Sequence, residues 1–159
     1  HIALQSLHAI SGCRIIAVDR EPAARVLAKD LGADFVLDGG PNVVEEVKAI
    51  TGGGAHVVID FVGELGVENI CWKMVRKGGQ LFVVGYGGAV NVPTAHLVIE
   101  EINIGGSLVG NFTELVELME LNADGKVKMH YTEYNLASIN TALDDFKNRR
   151  FTGRGVIVP

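Results

Sequence analysis

The sequence predicts an α/β protein built on a parallel sheet with helices on both faces. Two observations carry that expectation, and a third narrows it. Short β-branched runs such as Arg14-Ile15-Ile16-Ala17-Val18-Asp19 and His56-Val57-Val58-Ile59-Asp60-Phe61-Val62 are apolar on successive residues, so neither face is written for solvent. Longer segments of helical period separate these runs, the alternation that builds parallel strands joined by crossover helices. Glycine is over-represented, 20 residues in 159, while proline numbers only 4. That excess marks backbone that needs glycine rather than low-complexity chain. The length is that of one domain with a sizeable core.

Taken in order, residues 2–11 form the first helix, with Ile2, Leu4, Leu7 and Ile10 on its apolar stripe and Gly12 as C-cap. The strand 14–19 follows. Helix 21–31 begins with Pro22, whose missing N–H costs nothing in a first turn, and Gly32 stops it. Strand 34–38, helix 42–51 and the loop Gly52-Gly53-Gly54 lead to strand 56–62. Helix 65–75 contains the single Trp, Trp72, and Gly78-Gly79 turns into strand 80–84. Residues 93–100 read as a short helix, 103–109 as a strand and 113–121 as a helix capped by Thr113. The tail departs from this rhythm, with a helix over 136–149 and a last strand over 155–158.

Lys and Arg total 14 against 19 Asp and Glu, giving −5, and no basic run is present. This argues against a nucleic-acid partner and against an anionic membrane surface. No apolar stretch reaches the roughly 18 residues of a membrane helix and no signal peptide is visible, so the expected location is cytoplasmic. Cys13 and Cys71 are too few for a disulfide framework or a four-thiolate zinc site and are expected as buried free thiols. His1, His8, His56, His96 and His130 have no zinc spacing, either among themselves or with the cysteines. No nucleophile elbow or phosphate-loop lysine occurs, so no catalytic residue and no metal ligand is assigned. The chain opens on His1-Ile2-Ala3-Leu4-Gln5 rather than on Met, which suggests a start inside a longer gene product.

Several glycines stand just after predicted strands: Gly63 and Gly66, Gly85 with Gly87 and Gly88, and Gly110. Ligands bind at the carboxyl ends of strands in an open parallel sheet, and glycine there lets backbone approach a ligand closely. The same glycines also suit plain tight turns between strand and helix. Asp19 ends a buried strand, where an acid accepts hydrogen bonds from both ribose hydroxyls of an NAD adenosine. The competing role for Asp19 is a strand-end carboxylate that caps the helix starting near Pro22. Arg20 beside it suits either adenine stacking or a 2′-phosphate, but the acid directly before it favours NAD over NADP.

From His1 onward the chain resembles the cofactor-binding half of the zinc-dependent, medium-chain alcohol dehydrogenases. The signals are His1-Ile2-Ala3-Leu4-Gln5, like the helix after that family's glycine loop, and Ile16-Ala17-Val18-Asp19, like its second strand and ribose acid. Leu31-Gly32-Ala33-Asp34 and Arg76-Lys77-Gly78-Gly79 followed by Leu81-Phe82-Val83-Val84-Gly85 match further. So do Gly106-Ser107-Leu108-Val109-Gly110-Asn111 and Gly153-Arg154-Gly155-Val156-Ile157-Val158. Each is weak alone; their order and spacing are specific.

The resemblance implies a Rossmann-type doubly wound parallel sheet lacking its first strand. It implies that Asp19 holds the ribose and that Arg20 lies beside the adenine. Phe61 and Val62 would line the nicotinamide, the backbone of Val84, Ser107 and Val109 would hold its carboxamide, and Gly85 would also be among the cofactor-binding residues. Arg154 would reach the pyrophosphate through a charge-assisted contact. Residues 1–130 would be the dinucleotide-binding domain, incomplete at its N-terminus, and 131–159 a segment returning to a catalytic domain. In that family zinc is held outside the region this chain matches, so NAD is the expected cofactor and zinc would have no ligands here. The partners implied are NAD, a small alcohol and its aldehyde or ketone, and a second copy of the chain (a homodimer or tetramer through edge strand 103–109). Three alternatives stand beside this reading: an NADPH-dependent quinone or enoyl reductase of the same superfamily, a methyltransferase, and a non-catalytic nucleotide-binding or interaction module. The tail strand 155–158 is the only spare strand for the slot left by the absent first one.

Overall fold

The computed structural model describes residues 1–159. Its first half runs α1 (Ile2–Ile10), β1 (Ile16–Asp19), α2 (Pro22–Asp30), β2 (Phe35–Asp38), α3 (Val43–Thr51), β3 (Ala55–Asp60) and α4 (Val67–Met74). The second half runs β4 (Val75–Val83), α5 (Thr94–Glu100), β5 (Asn103–Gly106), α6 (Phe112–Ala123), β6 (Tyr131–Asn135), a 3-10 turn (Leu136–Ser138), α7 (Ile139–Lys147) and β7 (Arg154–Val158). Every strand pair is parallel, in the orders β1-β2, β3-β4-β5 and β6-β7, as the α/β class requires. The chain forms two compact units, residues 1–39 with 112–159, and residues 40–111.

In the first unit α2 packs on β1 and β2. Pro22 lies in the first turn of α2, as expected. Gly32, at φ +95, closes the helix as a Schellman cap: its N–H donates to Lys29 O at 3.1 Å and the N–H of Ala33 to Ala28 O at 3.1 Å. Asp34 then ties the entrance of β1, its Oδ2 accepting from Ile15 N–H at 2.7 Å. Buried Gln5 joins α1 to the approach of β6. Its side-chain amide donates to Lys128 O at 2.8 Å, and its carbonyl accepts from Lys128 N–H at 2.9 Å.

The second unit is the three-stranded sheet with α3, α4 and α5, cored by Val43, Val47, Cys71, Met74 and fully buried Leu81. The β3–β4 register breaks near its start: Ala55 pairs with Val75, but Val57 pairs with Gln80. Arg76, Lys77, Gly78 and Gly79 therefore stand opposite the single residue His56 and bulge out of the ladder.

Several expectations change. Gly12 does not cap α1; Ser11 does, in an extended conformation. Thr113 lies inside α6, which starts at Phe112, so it is not the cap. The strand predicted over 103–109 ends at Gly106. Strand β6 was not foreseen, because Tyr131-Thr132-Glu133-Tyr134-Asn135 is polar and mostly exposed. Cys13 is exposed, while Cys71 is buried as expected. The strands are less enclosed than their composition suggests: Val18, Phe35, Val57, Phe82 and Ile104 are all more than a third exposed. Sheets of two and three strands are narrow and keep open edges, β1 having only β2 as hydrogen-bonded neighbour and β3 only β4. The tail strand β7 pairs with β6, so it does not enter a slot beside β1 or β3.

Candidate functional site

In the first unit Asp19 ends β1 and is exposed. Its Oδ1 accepts the backbone N–H of Glu21, the N-cap of α2, at 2.8 Å. This bond closes the turn before α2 rather than capping the helix, which has no side-chain cap, and no hydrogen bond takes up Oδ2 of this exposed side chain. The turn is held from below by Arg25, whose guanidinium donates to Asp19 O and Arg20 O, each at 2.8 Å, and pairs with Asp38 at 3.4 Å. Arg20 is exposed, its Nε 3.5 Å from Gly39 O. Arg154 opens β7 and is exposed, its N–H bonded to His130 O at 2.9 Å. Arg154 and Asp19 both lie within electrostatic reach of His1, the residue before α1.

In the second unit the strand ends are built around Asp60, which is 2% exposed. Its Oδ1 accepts from the N–H of Val62 at 2.8 Å and of Gly63 at 3.0 Å. Its backbone carbonyl accepts from Val84 N–H at 2.8 Å and Gly85 N–H at 3.0 Å. One residue therefore fixes the turns after both β3 and β4. Those turns touch through bare backbone. A Cβ on Gly63 would lie 1.9 Å from Gly85 O, and one on Gly85 would lie 2.3 Å from the Val62 carbonyl carbon. The glycines at these two positions admit another strand's backbone, where the sequence had suggested room for a ligand.

This scaffold leaves Phe61 57% and Val62 46% exposed just beyond β3. Val84 and Gly85 stand beside them with their N–H groups spent on Asp60, and Ser107 spends its N–H on Val83 O at 2.9 Å. Beyond these amides, Val84 presents a carbonyl and Ser107 a carbonyl and a hydroxyl. Val109 is 86% exposed at φ +43, a costly backbone for a β-branched residue. Behind the turns, buried Glu68 accepts from Asn69 Nδ2 at 2.8 Å, and Asn69 in turn binds the loop at Ala89 and Asn91. The Cys71 thiol is pushed up to about 12, first by burial and then by the Asp60 and Glu68 carboxylates. A thiol held protonated in this way is a packing group.

The first unit therefore assembles Asp19, Arg20 and Arg154, and the second Phe61, Val62, Val84, Gly85, Ser107 and Val109. Sequence reasoning missed Arg25, Asp60, Asn69 and Gln5. For Asp60 a signal existed, an acid closing an otherwise apolar strand. For the others only the fold supplies the partner. No three His, Cys, Asp or Glu side chains are grouped to hold a metal ion. No helix is long and apolar enough to cross a membrane.

A family model described as zinc-binding dehydrogenase matches residues 1–124. The chain is 35% identical over 162 residues to the NAD-dependent alcohol dehydrogenase of Sulfurisphaera tokodaii, covering 99% of this chain and 47% of that protein. It is 32% identical to an alcohol dehydrogenase of Rhizobium meliloti, covering 99% of this chain and 46% of that one. The crystal structure of the alcohol dehydrogenase from Aeropyrum pernix superposes with a TM-score of 0.95 at 36% identity, over 100% of this chain and 46% of that chain. The chain spans about half the length of the curated relatives it matches.

Proposed function

This chain belongs to the zinc-binding dehydrogenase family, and on that premise we propose that it is the NAD-binding part of an alcohol dehydrogenase. The observation that carries the reading within the molecule is Asp19, an exposed acid ending a parallel strand with one carboxylate oxygen unspent. NAD, when bound, supplies the nicotinamide C4 that accepts hydride from a primary or secondary alcohol, giving an aldehyde or ketone. The residues of this chain hold and orient. Asp19 Oδ2 accepts from a ribose hydroxyl and disfavours a 2′-phosphate by charge, with Arg20 beside the adenine. Arg154 pairs with a pyrophosphate oxygen. Phe61 and Val62 form an apolar face for the nicotinamide. The carbonyls of Val84 and Ser107 accept from a carboxamide N–H, and the backbone beside Gly85 and Val109 completes the contact. Fixed backbone acceptors set which ring face is presented without depending on side-chain identity. The residues present do not fit a zinc site, and that metal belongs in this reading to protein beyond residues 1–159.

In the same reading residues 131–159 return to a catalytic domain, the protein works in the cytoplasm, and copies pair through β5, an outer strand of its sheet. The test is calorimetric titration with NAD and NADP. This chain alone is expected to bind NAD weakly and to turn over no alcohol; turnover without another polypeptide would overturn the part-enzyme reading. In the longer protein, Asp19→Gly is expected to weaken NAD by about tenfold or more while affecting NADP far less. Equal losses for both would remove the ribose role and move the assignment toward an NADPH-dependent quinone or enoyl reductase.

A further inference from the structure

The amino-terminal ends of β3 and β4 hold a feature that the proposed dehydrogenase role does not use. A cavity of about 400 Å³ is lined by Thr51, Gly52, Gly53, Gly54, His56, Arg76 and Lys77. Its walls follow from two backbone events. The register break expels Arg76 and Lys77 from the ladder opposite His56. The glycine run turns at φ +74, +134 and +139, and at Gly54 it passes so close to β4 that a Cβ there would lie 2.6 Å from Arg76 N. Gly52 and Gly53, by contrast, border open space, with nothing within 4 Å of an added Cβ.

The charge in this cavity has one sign. No carboxylate is among its lining residues, and neither Arg76 nor Lys77 takes part in any of the protein's ion pairs. The C-terminus of α3 is adjacent and would ordinarily attract cations for itself. Two carbonyls near its end are engaged within the loop: Val47 O accepts from Thr51 Oγ1 at 2.7 Å, and Lys48 O accepts from the N–H of Gly52 and, at 2.9 Å, of Gly53. Thr51 Oγ1 also accepts from Gly54 N–H at 2.9 Å. The loop is thus braced by its own hydroxyl and amides, with no side-chain hydrogen bond from Arg76 or Lys77 to it. In a chain of net charge −5, two adjacent unpaired cations beside an imidazole and a self-braced glycine loop are a local concentration of positive field.

We propose that this cavity binds a small anion carrying two phosphoryl groups, either free or esterified. Arg76 supplies a planar fork matched to phosphoryl oxygens and Lys77 a second point charge. His56, an exposed residue, lines the same cavity. The volume exceeds what one phosphate needs. The site lies at the opposite end of β3 and β4 from Asp60 and Val84, so its failure would leave the NAD reading intact, and the converse also holds.

The experiment is calorimetric titration of the chain with inorganic pyrophosphate at low ionic strength, repeated on the double variant R76Q/K77Q. Saturable binding with one site per chain is expected, with affinity reduced about tenfold or more in the double variant and its melting temperature unchanged. A control pair, R14Q/K128Q, removes the same charge from exposed positions elsewhere and should retain the affinity. Absence of saturable binding would overturn the proposal, as would unchanged affinity in R76Q/K77Q or an equal loss in the control pair. Glycerol phosphate binding as tightly as pyrophosphate would overturn the assignment to two phosphoryl groups. In a second arm ADP is titrated into the chain and into R76Q/K77Q. A loss of ADP affinity of about tenfold in the double variant supports an esterified diphosphate, and ADP affinity unchanged by those substitutions supports the free ion.

Discussion

Asp19 and Asp60 occupy the same place in the local pattern, each the last residue of a parallel strand followed by a turn, and the structure puts them to opposite uses. Asp19 is exposed and gives one oxygen to a single backbone N–H, that of Glu21. Asp60 is buried and organises four backbone N–H groups, two through its carboxylate and two through its carbonyl. What separates them is the neighbouring strand. β3 is covered by β4, whose own turn folds back against Gly63, so the acid at its end is buried, with Oδ1 taken by two backbone donors and Oδ2 enclosed without a partner. β1 has β2 on one side, where Arg25 already binds both carbonyls of the turn, and its carboxylate points to solvent. A strand-end acid becomes structural when backbone donors converge on it and remains available to a ligand when they do not.

The comparison can be broken most severely at its hinge. Gly63→Ala places a methyl group against Gly85 O at a positive φ and is expected to destabilise the chain by about 4 kcal/mol or more, read as loss of the cooperative melt. Asp60→Ala leaves the N–H groups of Val62 and Gly63 without their acceptor, an expected loss of roughly 3 kcal/mol in urea unfolding. Asp60→Asn keeps one acceptor oxygen and should recover part of it. If Asp60→Ala proved as mild as an exposed substitution, the structural role given to this acid would be wrong.

A titration sharpens the same contrast. The Cys71 thiol is raised from 9.0 to about 12, so folding favours its protonated form. Its contribution to stability is fully present below pH 9.0, where the unfolded thiol is also protonated, and is lost progressively as pH rises toward 12. Replacing Cys71 with Ala should flatten stability over that interval, and a slope that persists would assign it to other groups. With a thiol reagent at pH 8, exposed Cys13 should react at once and Cys71 only on unfolding, a difference that peptide mapping reads directly. The smallest effect is expected at Asp19→Ala, about 1 kcal/mol for one lost turn hydrogen bond to Glu21 N–H. A loss as large as that of Asp60→Ala would erase the distinction between the two acids.

Most elements were legible as periodicity. The runs ending at Asp19 and Asp38 end there as strands, the strand expected over 56–62 stops at Asp60, and Pro22 and Gly32 bracket α2 as their backbone chemistry requires. The misses have local causes. Strand β6 carries polar residues because it is mostly exposed, so its composition does not announce it. Arg25 reads as an ordinary surface charge on a helix until the turn after β1 brings two carbonyls beneath it. Gly63 and Gly85 were recognisable as glycines that something must approach closely, but what approaches is specified by the β3–β4 register.

The sequence by itself determined the fold class and the order of every strand and helix but β6, because these depend on spacing along the chain: alternating apolar runs, caps and turn residues. It also singled out Asp19, since a polar residue closing an apolar strand is a local anomaly. The tertiary structure alone decided which acid stays open and which is enclosed, and which glycines meet backbone. It also decided that Arg76 and Lys77 leave the ladder to face an unfilled cavity. Each of these depends on contacts between strands distant in sequence, and the energy of a polar group is set by the donors that surround it in space.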